Sequence, residues 1–150
     1  MRHRSIILTA ILALLSVTVP AQTTPEQIRK SDLSSRTFSV RDLKITLKRF
    51  WGGSLLSRGY LELRVENTSS AAATFNPQRL SFVGKDGKQV NIRGRRQTGP
   101  VHPDDRAIEV ALPREIAAGA YLKEFYELDG KVQLPAKLIY EGEELAVITK

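Results

Sequence analysis

The sequence predicts an all-β fold, an antiparallel β-sandwich of about seven to nine strands, and three observations carry that expectation. Apolar residues alternate with polar ones: Leu43, Ile45 and Leu47 with Lys44, Thr46 and Lys48, and Leu61, Leu63 and Val65 with Glu62, Arg64 and Glu66. Strict alternation puts one set on a buried sheet face and leaves the other in water. Turn signals recur at short intervals, in "NTSS", "NP", "DG", "GP", "HPDD", "AAG" and "EGE", and short strands with turns at such spacing form sandwiches. No window longer than two turns carries a helical stripe.

The first 21 residues stand apart. "MRHR" supplies a positive start, residues 5–19 form an uncharged apolar run of 15, and "VPA" puts Val19 and Ala21 at signal-peptidase positions. Residues 1–21 are therefore read as a signal peptide cut before Gln22, and the protein as exported, periplasmic or extracellular. A membrane span needs roughly 20 apolar residues, so a retained anchor is the weaker reading. No later stretch of the sequence is long or apolar enough to cross a bilayer.

Exported proteins often use disulfides, yet the chain has no cysteine and its core must hold without them. Removing Arg2 and Arg4 from 23 basic residues leaves 21 against 16 acidic ones, a net +5. That excess permits attraction to polyanions. Residues 22–39, "QTTPEQIRKSDLSSRTFS", are polar with no sustained period and read as a flexible leader. The sandwich domain is expected over residues 40–150.

Beyond the two alternating stretches, short strands are expected at residues 73–75, 79–84, 88–93, 108–112, 121–128, 136–140 and 144–149. In 121–128, Tyr121 and Phe125 face one way and Leu122, Tyr126 and Leu128 the other, which suits a central or bulged strand. "LSFVGKDGKQVNIRGRR", residues 80–96, poses a choice between a phosphate-cradling loop and a turn. A phosphate loop runs into a helix N-terminus, whereas "QVNIR" alternates like a strand. A three-residue loop, Lys85-Asp86-Gly87, pairs Gly84 with Lys88, Phe82 with Val90 and Leu80 with Ile92, and puts all four apolar residues on one face. That register predicts a hairpin with Gly87 in the left-handed region.

"LKITLKRF", "LELRVENTSS", "FNPQRLSFVGKDGKQV", "REIAAGAYLKEFYEL" and "PAKLIYEGEELAVI" follow one another in an order that resembles small bacterial extracytoplasmic immunoglobulin-like domains, the telokin-like domains of unknown function. The likeness covers roughly residues 40–149 and rests on Asn67 at a strand end, on residues 80–87 running into Asp-Gly, and on residues 119–125. It implies an immunoglobulin-like sandwich in the envelope with a binding role, and it carries no catalytic residues to transfer.

Past the signal peptide the chain has one histidine, His102, and no cysteine or methionine. That composition excludes thiol chemistry and histidine- or methionine-rich metal sites, and no cofactor is expected. The basic cluster is the leading candidate: Arg93, Arg95 and Arg96 in "RGRR", with Lys85 and Lys88 at the other end of the same hairpin. Arginine forks suit phosphate, sulfate or carboxylate groups. The three arginines are expected on a long loop, residues 93–106, where their replacement leaves stability nearly unchanged. Phe50 and Trp51 in "RFWGG" either form an aromatic platform or close the core.

These residues favour a non-catalytic envelope module that binds an anionic ligand or a protein partner. A small hydrolase using His102 or the Glu141, Glu143 and Glu144 cluster is the rival, and an assembly factor pairing an edge strand with a client is a third reading. Export argues against nucleic acid as the partner.

Overall fold

Alternation in the sequence becomes pleat in the structure. The computed structural model describes residues 25–55, 57–96 and 108–150, and twelve strands lie among them. They are β1 (Glu26–Arg29), β2 (Phe38–Val40), β3 (Leu43–Trp51), β4 (Tyr60–Asn67), β5 (Ala73–Phe75), β6 (Leu80–Gly84), β7 (Gln89–Arg96), β8 (Ile108–Glu109), β9 (Arg114–Ile116), β10 (Tyr121–Leu128), β11 (Ala136–Tyr140) and β12 (Glu143–Thr149). Two short 3-10 turns, Lys30–Ser35 and Pro77–Arg79, complete the regular elements. The chain is all-β, as the alternation predicts.

Ten strands form one curled sheet in the order β1-β12-β11-β6-β7-β10-β4-β3-β2, with β8 set beside β7; β5 and β9 pair on their own. The curl sits in β7. Residues 89–91 pair with β6 and residues 92–96 with β10, and a register slip against β10 leaves Arg93 without a partner opposite. Such a bulge bends a strand and tightens its twist. The two halves of the sheet therefore face each other, and Phe50 of β3 stacks on Phe82 of β6 with ring centroids 5.0 Å apart. Between them the apolar members of both alternating stretches are buried, together with Leu80, Tyr126 and Leu138. β10 is central, lying between β4 and β7, while the bulge belongs to β7.

The hairpin has the expected register. Phe82 faces Val90, the Gly84 N–H donates to the Lys88 carbonyl at 3.0 Å, and Gly87 has φ +73°. A Cβ on Gly87 would meet nothing within 4 Å, so the left-handed backbone alone calls for glycine there. Asn67 ends β4 as a buried staple. Its Nδ2 donates to the carbonyls of Ala71 at 2.7 Å and Ile116 at 2.9 Å, and its Oδ1 accepts from the Ser69 N–H at 2.9 Å.

Several expectations are corrected. The sheet is mixed, because β1 runs parallel to β12 with Ile28 beside Ile148. The stretch read as a flexible leader instead forms β1, a 3-10 turn and β2 over its described part, and Ile28, Leu33 and Phe38 are buried in the core. Each of three short elements contributes one anchor, five residues apart, so neither a strand nor a helix period appears. Arg93, Arg95 and Arg96 are strand residues, since β7 continues to Arg96. The expected strand at 108–112 contracts to β8 because Val110 and Leu112 are exposed.

Candidate functional site

The three arginines are brought together on β7, and each is already engaged. Arg93 donates to Glu127 at 2.7 Å and Arg96 to the other oxygen of the same carboxylate at 2.8 Å, while Arg58 stands 3.6 Å away. The bulge makes this possible: it turns Arg93 to the same side as Arg96, over a carboxylate whose side chain is 7% exposed. Burial pushes the Glu127 carboxyl up, but the hydrogen bonds and charges of Arg96 and Arg93 outweigh it and hold it below its ordinary value.

Arg95 points to the other side of the strand. It bonds Glu109 closely and Glu124 at 3.2 Å, and the Tyr126 hydroxyl donates to that same Glu124. Burial, then this hydrogen bond and the Glu124 charge, push the Tyr126 phenol above its ordinary value. The three arginines expected as an open anion site are thus each paired with carboxylates of the fold, and Arg96 also lines an open groove beside Arg58 and Glu127.

Lys85 and Lys88 lie apart from the arginines. Four residues of β7 lie between Lys88 and Arg93, five steps or about 17 Å at the usual rise. Glu141, Glu143 and Glu144 occupy the β11–β12 hairpin tip, where Glu141 pairs with Arg41 at 3.0 Å and Glu144 with Lys137 at 2.8 Å. They share a tip and do not face one another across a cleft. His102 lies outside the described residues.

A different set of cations converges. The topology brings the C-terminal ends of β1, β3, β6, β10 and β12 to one end of the curled sheet. A groove of about 290 Å³ opens there, lined by Lys30, Lys85, Lys131 and Lys150, with Trp51 and Gln133 among its walls. Among the described residues no aspartate or glutamate side chain lines it, and none of the four lysines forms an ion pair.

Backbone contacts fix the groove. The Val132 N–H donates to the Gly52 carbonyl at 2.6 Å and the Lys85 N–H to the Gln133 carbonyl at 3.1 Å. Gly52 permits the first contact, since a Cβ there would stand 2.8 Å from the Val132 oxygen. Asp86, the nearest acid in sequence, is occupied by the Lys88 N–H at 3.1 Å and by Gln133 Nε2 at 3.0 Å. Of the expected basic residues only Lys85 belongs to this groove; Lys30, Lys131 and Lys150 join it through strand order, which no local motif encodes.

Phe50 packs against the core on Phe82, whereas Trp51 is half-buried and meets Tyr60 at 5.3 Å between ring centroids.

Fold and site together define an all-β protein built on one curled mixed sheet with a cationic groove at one end. No family model and no curated protein matches the chain. Among solved structures it is similar to the YjhA protein from Bacillus subtilis, at a TM-score of 0.48 and 15% identity, over 77% of this chain and 79% of that one.

Proposed function

We propose that the protein is an exported, non-catalytic envelope module that binds an anionic ligand in the lysine groove, on an immunoglobulin-like sandwich extended by the parallel strand β1. The sandwich reading draws support from β7, which passes from one half of the sheet to the other, and from the face-to-face contact of Phe50 and Phe82. Export draws support from the charged start, apolar run and "VPA" of residues 1–21.

The observation that carries the binding role is the contrast between the two sets of cations. Arginine forks are matched to carboxylates within the fold, while four lysines share one concavity that, among the described residues, no aspartate or glutamate side chain lines. Crowding like charges raises the local potential, and an anion seated among them lowers it.

The test is binding to heparin at increasing salt. Exposed charges are screened beyond about 8 Å at physiological ionic strength, so binding weakens as salt rises. Replacing Lys30, Lys85 and Lys131 together with glutamine removes most of it. The same change at Lys44, Lys48 and Arg79, which are exposed elsewhere, leaves most of it in place. Equal losses from both triples would reduce the attraction to net charge and defeat the groove as a site.

A further inference from the structure

The β3–β4 loop stands at the same end of the sheet as the lysine groove, and it is built unlike a solvated turn. Leu55 is 93% exposed at its tip. The loop is closed beneath by the Ser54 N–H donating to the Ser57 carbonyl at 2.9 Å and by a 2.7 Å contact between the two serine hydroxyls. At its base Trp51 and Tyr60 face each other across β3 and β4, half-buried and exposed respectively. A second, open groove of about 720 Å³ touches Leu55, Arg58 and Tyr60 and shares Trp51 and Lys131 with the lysine groove. Apolar tip, aromatic base and cationic groove are therefore neighbours on one end of the molecule.

We propose that this end docks on an anionic lipid surface, with Leu55 entering the acyl boundary, Trp51 and Tyr60 at the level of the headgroups, and the lysines over the lipid charge. The proposal rests on the anion-binding reading and names the source of the anion. Tyrosine and tryptophan suit the membrane interface because their rings are apolar and their tips polar. Apolar insertion and attraction to anionic lipid add together in peripheral binding. A soluble polyanion uses the lysines but gains nothing from a leucine held in water. A lipid surface uses both, and this complementarity favours it as the occupant.

The experiment measures partition onto vesicles of phosphatidylcholine with or without three-tenths phosphatidylglycerol, and heparin binding in parallel. Parent and variants carry the same N-terminus, so any contribution of residues 1–21 cancels. Trp51 is the chain's only tryptophan, and its fluorescence shifts to the blue as it enters the interface.

The parent is expected to bind the anionic vesicles and not the neutral ones. Leu55→Ser weakens that partition about tenfold or more, the scale of one leucine side chain moved from water to an apolar phase, and leaves heparin binding unchanged because no charge is altered. Lys131→Gln weakens vesicle binding about fivefold, as one basic residue near an anionic surface does. Vesicle binding that ignores Leu55→Ser overturns the proposal. Heparin binding without vesicle binding also overturns it while the anion groove stands, and loss of both in the parent removes the groove as well.

Discussion

Removing Arg93 and Arg96 together, as Arg93→Gln with Arg96→Gln, destabilises the protein more than removing their shared partner by Glu127→Gln. The asymmetry follows from burial. Glu127 has a 7% exposed side chain, whereas Arg93 and Arg96 are 43% and 44% exposed and return to water when the carboxylate is gone. Losing the acid therefore costs about 1 kcal/mol, the scale of a partly solvated charged hydrogen bond. Losing one arginine costs about 1 kcal/mol as well, because the other still bonds the carboxylate. Losing both leaves a buried carboxylate with only Arg58 at 3.6 Å, and the cost rises to about 3 kcal/mol, the low end for breaking a buried ion pair.

Urea unfolding of the parent, both single variants, the double variant and Glu127→Gln gives these values and their non-additivity. The pH dependence supplies an independent sign. The folded carboxyl of the parent lies below the ordinary 4.5, so its contribution is fully present above 4.5 and is lost as pH falls through the folded value. In the double variant burial acts nearly unopposed and raises the folded carboxyl, so its penalty is present at neutral pH and vanishes below 4.5. The gap between parent and double variant is accordingly widest near pH 7 and closes toward pH 3. A double variant within about 0.5 kcal/mol of the parent at pH 7, or a gap independent of pH, would refute the reading of Glu127 as a buried anion held by these arginines.

Gly87→Val is expected to cost about 1–2 kcal/mol through its left-handed backbone, while Lys85→Ala leaves stability almost unchanged and weakens heparin binding; thermal unfolding and a binding titration separate the two. Ile28→Ala should cost about 2–4 kcal/mol as a core truncation, and a loss within about 0.5 kcal/mol would mean that β1 adds nothing to the fold. Intact mass of the protein recovered outside the cytoplasm should correspond to a chain beginning at Gln22, and a mass that retains residues 1–21 would end the soluble exported reading.

The fold was legible wherever a strand buried one face. Residues 43–48 and 61–66 alternate strictly, and both lie in long strands with their apolar members in the core. The hairpin register was legible for the same reason, because only one loop length puts Leu80, Phe82, Val90 and Ile92 on one side. Of the elements of three or four residues, β5 was expected at its observed bounds, 73–75, while the others escaped. β1, β2 and β9 each bury one or two apolar side chains, too few for any period to emerge, and β1 is held by long-range pairing with β12 across the whole length of the domain. The parallel pairing was invisible because it depends on where the N-terminal segment returns, not on its own composition.

The site was harder to read because charge in a sequence does not say which charges are already paired. "RGRR" looks like an anion site, yet its partners Glu109, Glu124 and Glu127 lie 14 to 34 residues away from the arginines they bond and meet them only through the β7–β8 and β7–β10 pairings. The choice of residue carried the missing signal. Arginine's planar fork bonds two acceptors at once and is less costly to dehydrate than an ammonium, which suits it to bridging buried carboxylates across strands. Lysine is a compact, strongly hydrated charge on a long stem and is better kept in water at loop ends. Arg93, Arg95 and Arg96 lie within a strand, whereas Lys30, Lys85, Lys131 and Lys150 each follow the end of one. In a small antiparallel-rich fold, cations that share one end of the sheet are those that follow strands of the same direction. Strand direction can be counted from the sequence once the elements are known, and here it separates the lysines, which form no ion pair among the described residues, from the arginines, which do.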